Sequence, residues 1–162
     1  MSVPDGVTIR RGLPADAEAL THLHLDCWDD AYTGLMPQEV LDARRTNVAE
    51  RVERWREILT RSRNTQVVEA TGGLIGFVSA GPGRDEDMDV AREVWALYVR
   101  ASWWGTGTGR ALLDAAVGDD PAYLWVLEGK DRATSFYERQ GFRPDGSVLD
   151  EPEGRHLRMV RR

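Results

Sequence analysis

The chain has a single cysteine, Cys27, and a single lysine, Lys130, in 162 residues. One thiol cannot close a disulfide within the chain, and four-ligand zinc sites built on cysteine are excluded. No stretch approaches the roughly 18–20 apolar residues that span a bilayer, and Met1 to Gly12 has no apolar run after a basic start of the kind that directs export. Acidic residues outnumber basic ones 27 to 21, the formal charge is −6 and there is no basic tract. That balance argues against nucleic acid as the main partner, while a cationic small molecule is still admitted. His22 and His24 are two apart and diverge on a helix, and His156 stands alone, so no metal is expected. Together these absences fit a protein of the reducing cytoplasm with no membrane segment. The arginine bias is read as the mark of a GC-rich genome. It leaves Lys130 and the N-terminus as the only primary amines in the chain.

What is present suits one domain over residues 1–162, since an apolar fraction of 41% is ordinary for a globular chain of this length. Val7 to Arg11 reads as a strand, and Pro14 with Asp16 and Glu18 opens a helix whose apolar face is Leu20, Leu23, Cys27 and Ala31. A second helical region starts near Pro37, and Val48, Val52, Trp55 and Leu59 recur at helical spacing. Thr65 to Thr71 and Leu74 to Ala80 flank Gly72-Gly73, a link that closes a hairpin. Ala91 to Val99 is an almost continuously apolar strand and therefore central. Tyr123 to Leu127 is another buried strand, Asp131 to Gln140 a helix ended by Gly141, and Phe142 to Leu149 with Arg155 to Val160 a closing pair.

Between the central strand and the next helix lies Trp104-Gly105-Thr106-Gly107-Thr108-Gly109-Arg110. Glycines let a ligand approach the backbone, and a helix start offers unpaired N–H groups and a positive dipole end, so this loop reads as a cradle for phosphate. A tight strand-to-helix turn is the plainer alternative. The spacing is neither G-x-G-x-x-G nor a Walker A loop, because no G-K-[ST] follows. It resembles the R/Q-x-x-G-x-G/A acyl-CoA loop of the GCN5-related N-acetyltransferases (GNAT). A second block, Trp125 to Phe142 with Phe136-Tyr137-Glu138-Arg139-Gln140-Gly141-Phe142 at its end, is similar to the later strand and helix of that family. Ile9-Arg10-Arg11, Pro14-Ala15-Asp16-Ala17 and Ala31-Tyr32-Thr33-Gly34-Leu35-Met36-Pro37 extend the resemblance over nearly the whole chain.

The resemblance implies a single-domain α/β (α+β) fold, with a mixed, mostly antiparallel sheet of six to seven strands flanked by helices and splayed between the fourth and fifth strands. It implies acetyl-CoA as acyl donor. The pantetheine arm would pair with main chain at Leu97, Tyr98 and Val99, and the pyrophosphate would sit on the amides of Gly105, Thr106, Gly107, Thr108, Gly109 and Arg110. Trp104 stands where the family usually has arginine or glutamine. Lys130 stands where relatives commonly have asparagine, and its ammonium either meets a CoA phosphate or is solvated. Ser135 and Arg139 could reach the cofactor from the same helix, or face solvent.

By the same resemblance Tyr137 would protonate the departing thiolate, the alternative being a packed aromatic whose hydroxyl reaches the surface. Glu93 would draw a proton from the acceptor amine through water, with Glu128 and Asp26 as alternatives and a solvated strand-entry residue as the plain reading. Trp28, Tyr32, Leu35, Met36, Trp95 and Trp125 line an acceptor pocket, or are core. Asp85, Glu86, Asp87 and Asp89 steer a cation or form a solvated loop. The expected activity is direct transfer of acetyl to a primary amine of a small molecule or peptide, in a ternary complex without an acyl-enzyme. A non-catalytic acyl-CoA sensor is the rival reading. Edge strands near Phe142 to Val160 leave room for a homodimer.

Overall fold

The computed structural model describes residues 3–162, and its central feature is a seven-stranded sheet in the order β1-β2-β3-β4-β5-β7-β6. The strands are β1 (Val7–Arg11), β2 (Thr65–Ala70), β3 (Gly73–Pro82), β4 (Arg92–Val99), β5 (Ala122–Leu127), β6 (Arg143–Glu151) and β7 (Gly154–Arg161). The helices are α1 (Ala17–Tyr32), α2 (Gln38–Arg44), α3 (Val48–Arg61), α4 (Thr108–Val117) and α5 (Asp131–Arg139). The expected element order holds, with boundaries differing by a residue or two.

Local chemistry explains the entry to α1. The Asp16 carboxylate accepts the Leu13 N–H at 2.8 Å and both guanidinium nitrogens of Arg10 at 2.8 and 2.9 Å, which ties β1 to the helix start. At the β2–β3 turn Gly72 and Gly73 take φ of 105° and 129°, a conformation that side chains resist. One face of the sheet packs Val68, Val78, Leu124 and Met159 against Leu112, Leu113 and Val117 of α4. The other packs Val67 and Phe77 against Leu20 and Leu23 of α1 and Leu59 of α3. His24 joins this second layer, edge-on to Trp55 and Phe77.

Every strand pair is antiparallel except β4–β5, which is parallel and pairs only Glu93 with Tyr123 and Val94 with Leu124. The pairing ends where β4 bulges. Against β3, Ser79 faces Ala96 and Ala80 faces Val94, so Trp95 is an extra residue in its strand. Its indole lies over Gly81, where an added Cβ would come within 2.4 Å of the ring. From Trp95 β4 runs on to Val99 with no partner on the β5 side, roughly 16 Å of strand at ~3.3 Å per residue. This is the expected splay.

The acidic loop after β3 is neither a free steering patch nor a merely solvated loop. Arg158 of β7, 5% exposed, holds Asp85 at 3.0 Å, Asp87 at 2.8 Å and Asp145 at 2.6 Å, and Arg162 holds Asp89 at 2.6 Å. The edge strand β6, considered above as a dimer surface, is blunted by Pro144, a register break between Pro144 and Val148, and the charges of Asp150 and Glu151.

Two outcomes follow from this packing. Arg158→Met strands Asp85 and Asp145 beside an apolar side chain and should cost about 3 kcal/mol in urea unfolding; a loss within error of zero would mean that the network adds nothing. Burial, with Arg44 and Arg51 adding, pushes His24 from its ordinary 6.5 down to about 3. The unfolded chain therefore binds a proton below 6.5 that the folded one refuses. Stability from this site is complete above 6.5 and falls with pH toward 3, by up to about 1.4 kcal/mol per unit. Between pH 6.5 and about 5, above the range where the carboxylates titrate, the wild-type protein should lose stability and His24→Phe should not.

Candidate active site

Where β4 and β5 separate, a cleft of about 910 Å³ opens at their C-terminal ends. Leu97, Tyr98 and Val99 of β4 form one wall, α5 forms the other, and Cys27 and Ala31 of α1 close one side. The mouth is the loop from Trp103 to Arg110.

That loop is held from below. Asp30 of α1 accepts the Arg100 Nε–H at 2.7 Å and the Ala101 N–H at 3.0 Å, which fixes the chain as it leaves β4. Trp104 donates its indole N–H to the Val99 carbonyl at 2.8 Å. Thr106 donates to the Trp103 carbonyl at 2.7 Å and its hydroxyl lies 2.8 Å from that of Thr108. Gly105 and Gly107 take φ of 76° and 90°, and Gly107 caps α4. Gly109 has no such constraint, and a Cβ there would make only ordinary contact with the Phe136 ring at 3.5 Å. Two of the three glycines thus shape the backbone. The first N–H groups of α4 have no carbonyl within the helix to receive them and point outward at the mouth.

Four cations line the cleft, Arg110, Lys130, Arg132 and Arg139, and no carboxylate does. None of the four makes a salt bridge among the described residues, whereas Arg10, Arg45, Arg84, Arg100 and Arg158 are all paired with acids elsewhere. In a chain of net charge −6 this is a concentrated positive field. Arg132 lies 3.3 Å over the Trp104 ring, so a guanidinium reaches the place where the family's arginine is missing. Lys130 is half-buried, its ammonium 4.8 Å over the Tyr32 ring. Burial, and then the nearby Arg132, bring its pKa down to about 8.

Tyr137 and Tyr98 both line the cleft, and Tyr98 shares a 3.1 Å hydroxyl contact with Tyr32. Burial raises both phenols, so each stays protonated at neutral pH. The Tyr137 hydroxyl has no hydrogen-bond partner among the described residues. Phe136 lines the cleft as well, because the cavity wraps more than one face of α5.

Of the residues expected to hold the cofactor, the structure gathers Leu97, Tyr98, Val99, Trp104, Gly105, Gly107, Gly109, Arg110, Lys130 and Tyr137 in this cleft. Thr106 and Thr108 spend their hydroxyls within the loop, and Ser135 faces solvent on α5. Arg132, Ala133, Phe136 and Gln140 were missed, although with Tyr137 they repeat at helical spacing and could have been read as one stripe.

The expected acceptor residues do not line the cleft. Trp28 stacks under Arg44 at 3.4 Å, Tyr32 is packed behind Tyr98, Trp95 donates to the Pro82 carbonyl at 3.3 Å, and Trp125 donates to Asp85 at 3.0 Å. Glu93 is 2% exposed at the far end of β4. Its carboxylate accepts Arg84 Nε and Nη2 at 3.0 and 2.9 Å and the Tyr123 hydroxyl at 3.3 Å.

A split sheet beside a cation-lined cleft, with a glycine loop feeding a helix start, defines an enzyme of acyl transfer from an anionic thioester. Comparison with known proteins makes this specific. The acetyltransferase (GNAT) domain family matches residues 61–144, just over half of the chain. The uncharacterized N-acetyltransferase YuaI of Bacillus subtilis is 27% identical over 163 residues, covering 94% of this chain and 88% of its own. A probable N-acetyltransferase of Mycobacterium tuberculosis is 28% identical, covering 90% of this chain and 85% of its own. The fold is shared with the PaiA N-acetyltransferase of Thermoplasma acidophilum, solved with coenzyme A, at a TM-score of 0.72 and 21% identity over 100% of this chain and 99% of that one. The chain belongs to the GNAT acetyltransferase family. It is an N-acetyltransferase that uses acetyl-CoA and an amine acceptor.

Gly107→Val forces a branched side chain to φ of 90° at the cap of α4 and should abolish measurable coenzyme A binding in calorimetry while the fold persists by circular dichroism. Retained affinity would remove the loop from the binding site.

Proposed function

We propose that residues 1–162 act as one domain in which coenzyme A lies in the cleft between β4 and α5 and the acceptor amine attacks the thioester directly. The observation that carries this reading is the pairing of four carboxylate-free cations with unpaired β4 main chain in one cavity. The diphosphate would be received by the amides of Gly105 to Arg110, with Arg110, Arg132 and Arg139 near enough to add charge. The pantetheine arm would add to Leu97, Tyr98 and Val99 as a strand adds to an edge. Amides of that segment would also receive the developing oxyanion.

Tyr137 is our proposed acid. Its raised pKa keeps the proton in place until a thiolate forms, and a free hydroxyl facing the cleft suits that transfer. Glu93 is proposed only as the eventual destination of the amine proton. Its carboxylate is enclosed by Arg84 and Tyr123, so the proton would have to travel through water. The acceptor, a small molecule or a peptide end, would approach from the α1–α2 side, where Trp28 packs edge-on to Tyr32 beneath Arg44 of α2; Trp95 and Trp125 are engaged by Pro82 and Asp85 and are not part of that approach. No helix is long and apolar enough to cross a membrane among the described residues, and we propose a cytoplasmic location.

Release of free thiol from acetyl-CoA across a panel of primary amines tests the reading. Tyr137→Phe should cut kcat by about 100-fold with coenzyme A affinity unchanged. Equal rates in the variant would exclude Tyr137, equal rates in Glu93→Gln would exclude Glu93, and tight binding without release for any amine would favour a sensor.

A further inference from the structure

The geometry points to a second acceptor built into the protein itself: Lys130 takes an acetyl group from acetyl-CoA bound in its own cleft. The inference rests on the donor site proposed above and adds a modification site to it.

Lys130 is the only lysine, the other twenty basic side chains being arginine, which cannot be acylated in this way. It follows Gly129, whose φ of 93° turns the chain between β5 and α5 so that Lys130 stands at the start of α5 and lines the cleft. Its ammonium lies over Tyr32, and Tyr32 is hydrogen-bonded to Tyr98 on the β4 wall where the acyl end of the donor would rest. The amine is therefore placed on the Tyr32–Tyr98 side of the cavity, against the β4 wall.

No carboxylate pairs with its charge among the described residues, and the Tyr32 ring is its one close favourable contact. The nearest acids on the facing helix are already engaged, Asp30 by Arg100 and Ala101, and Asp26 by Arg45 and Arg100. The ionisable groups that act on Lys130 are Arg132 on α5, which repels it, and Cys27 on α1, whose thiol burial pushes up to about 12. With burial these leave its pKa at about 8, so at pH 7.5 about one Lys130 in four is a neutral nucleophile, against about one in a thousand for an ordinary lysine. Asparagine, common at this place in the family, offers no such group.

The step balances without a co-reactant. The Nζ lone pair attacks the thioester carbonyl carbon, a C–N bond forms and the C–S bond breaks. The thiolate is protonated to free coenzyme A, and the second proton of the former ammonium goes to solvent. The product amide is uncharged, so the cleft loses one of its four cations and gains an acetyl group where the donor's own would lie. With no amine supplied, the protein consumes one donor per chain.

Intact mass and peptide mapping after incubation with acetyl-CoA alone test this. The wild-type protein should gain the mass of one acetyl group, mapped to Lys130, at a rate that saturates with acetyl-CoA and falls when excess coenzyme A competes. Lys130→Arg should gain none. Labelling that persists in Lys130→Arg, maps elsewhere, or rises linearly with acetyl-CoA regardless of added coenzyme A would overturn the inference as surface chemistry. Absence of labelling in a protein that binds coenzyme A by calorimetry would overturn it alone. Absence of binding would overturn the donor site and the inference together.

Discussion

Two residue pairs hold the halves of this sheet together, Glu93 with Tyr123 and Val94 with Leu124, and the rest of the molecule is arranged around the place where that pairing stops. The bulge at Trp95 inserts a residue into β4 opposite β3, and a bulged strand bends and twists more strongly than a regular one. The indole lies over Gly81, whose missing side chain leaves it room. Further along, β4 keeps its hydrogen bonds to β3 and loses its neighbour on the β5 side. A buried strand edge with nothing to pair with is unfavourable, and an extended amide-bearing ligand relieves it. The opening is thus a constraint imposed by the sheet, and the glycine loop, α5 and Asp30 set what can fill it.

Charge follows the same division. Several arginines that serve the fold are paired with acids, Arg10 with Asp16, Arg84 with Glu93, Arg158 with Asp85, Asp87 and Asp145, and others such as Arg92 and Arg161 bond main-chain carbonyls. Those that line the cleft pair with no acid among the described residues. An unpaired cation in a partly desolvated wall is held there at a cost, which an anionic ligand offsets on binding. The negative charge of the whole chain makes that wall the place where a multiply charged anion is most strongly received, and salt should weaken its capture more than it weakens the fold.

Much of this was legible in the sequence because it is encoded locally. Gly105 and Gly107 announce their backbone angles by being glycine, the strands announce themselves by apolar runs, and the Phe136-Tyr137 segment places a phenol one helix away from the loop. What was not legible depends on residues that meet only in the fold. Glu93 looks available on the page, yet Arg84 nine positions earlier and Tyr123 on a different strand enclose its carboxylate. The acidic loop looks free until Arg158 and Arg162 arrive from the last strand. Arg132 gave no motif signal; its role appears when its guanidinium is seen stacked on Trp104. Lys130 reads as a surface charge until α1 is packed across it.

The same cations bear on the proton that any acceptor amine must lose. An ammonium entering a cleft lined by Lys130 and Arg132, with no carboxylate on its walls, meets like charge and a desolvated setting, and both lower its pKa. Arg132 already has this effect on Lys130. A positive wall therefore does two things with one set of side chains: it attracts the anionic donor, and it favours the uncharged, nucleophilic form of the amine. Tyr98 and Tyr137 complement this, since burial holds them as phenols and leaves them able to give a proton but poor at taking one. In such a site the acid is built in and the base need not touch the amine, which is the arrangement expected when Glu93 is committed to Arg84 and Tyr123 instead of facing the cleft.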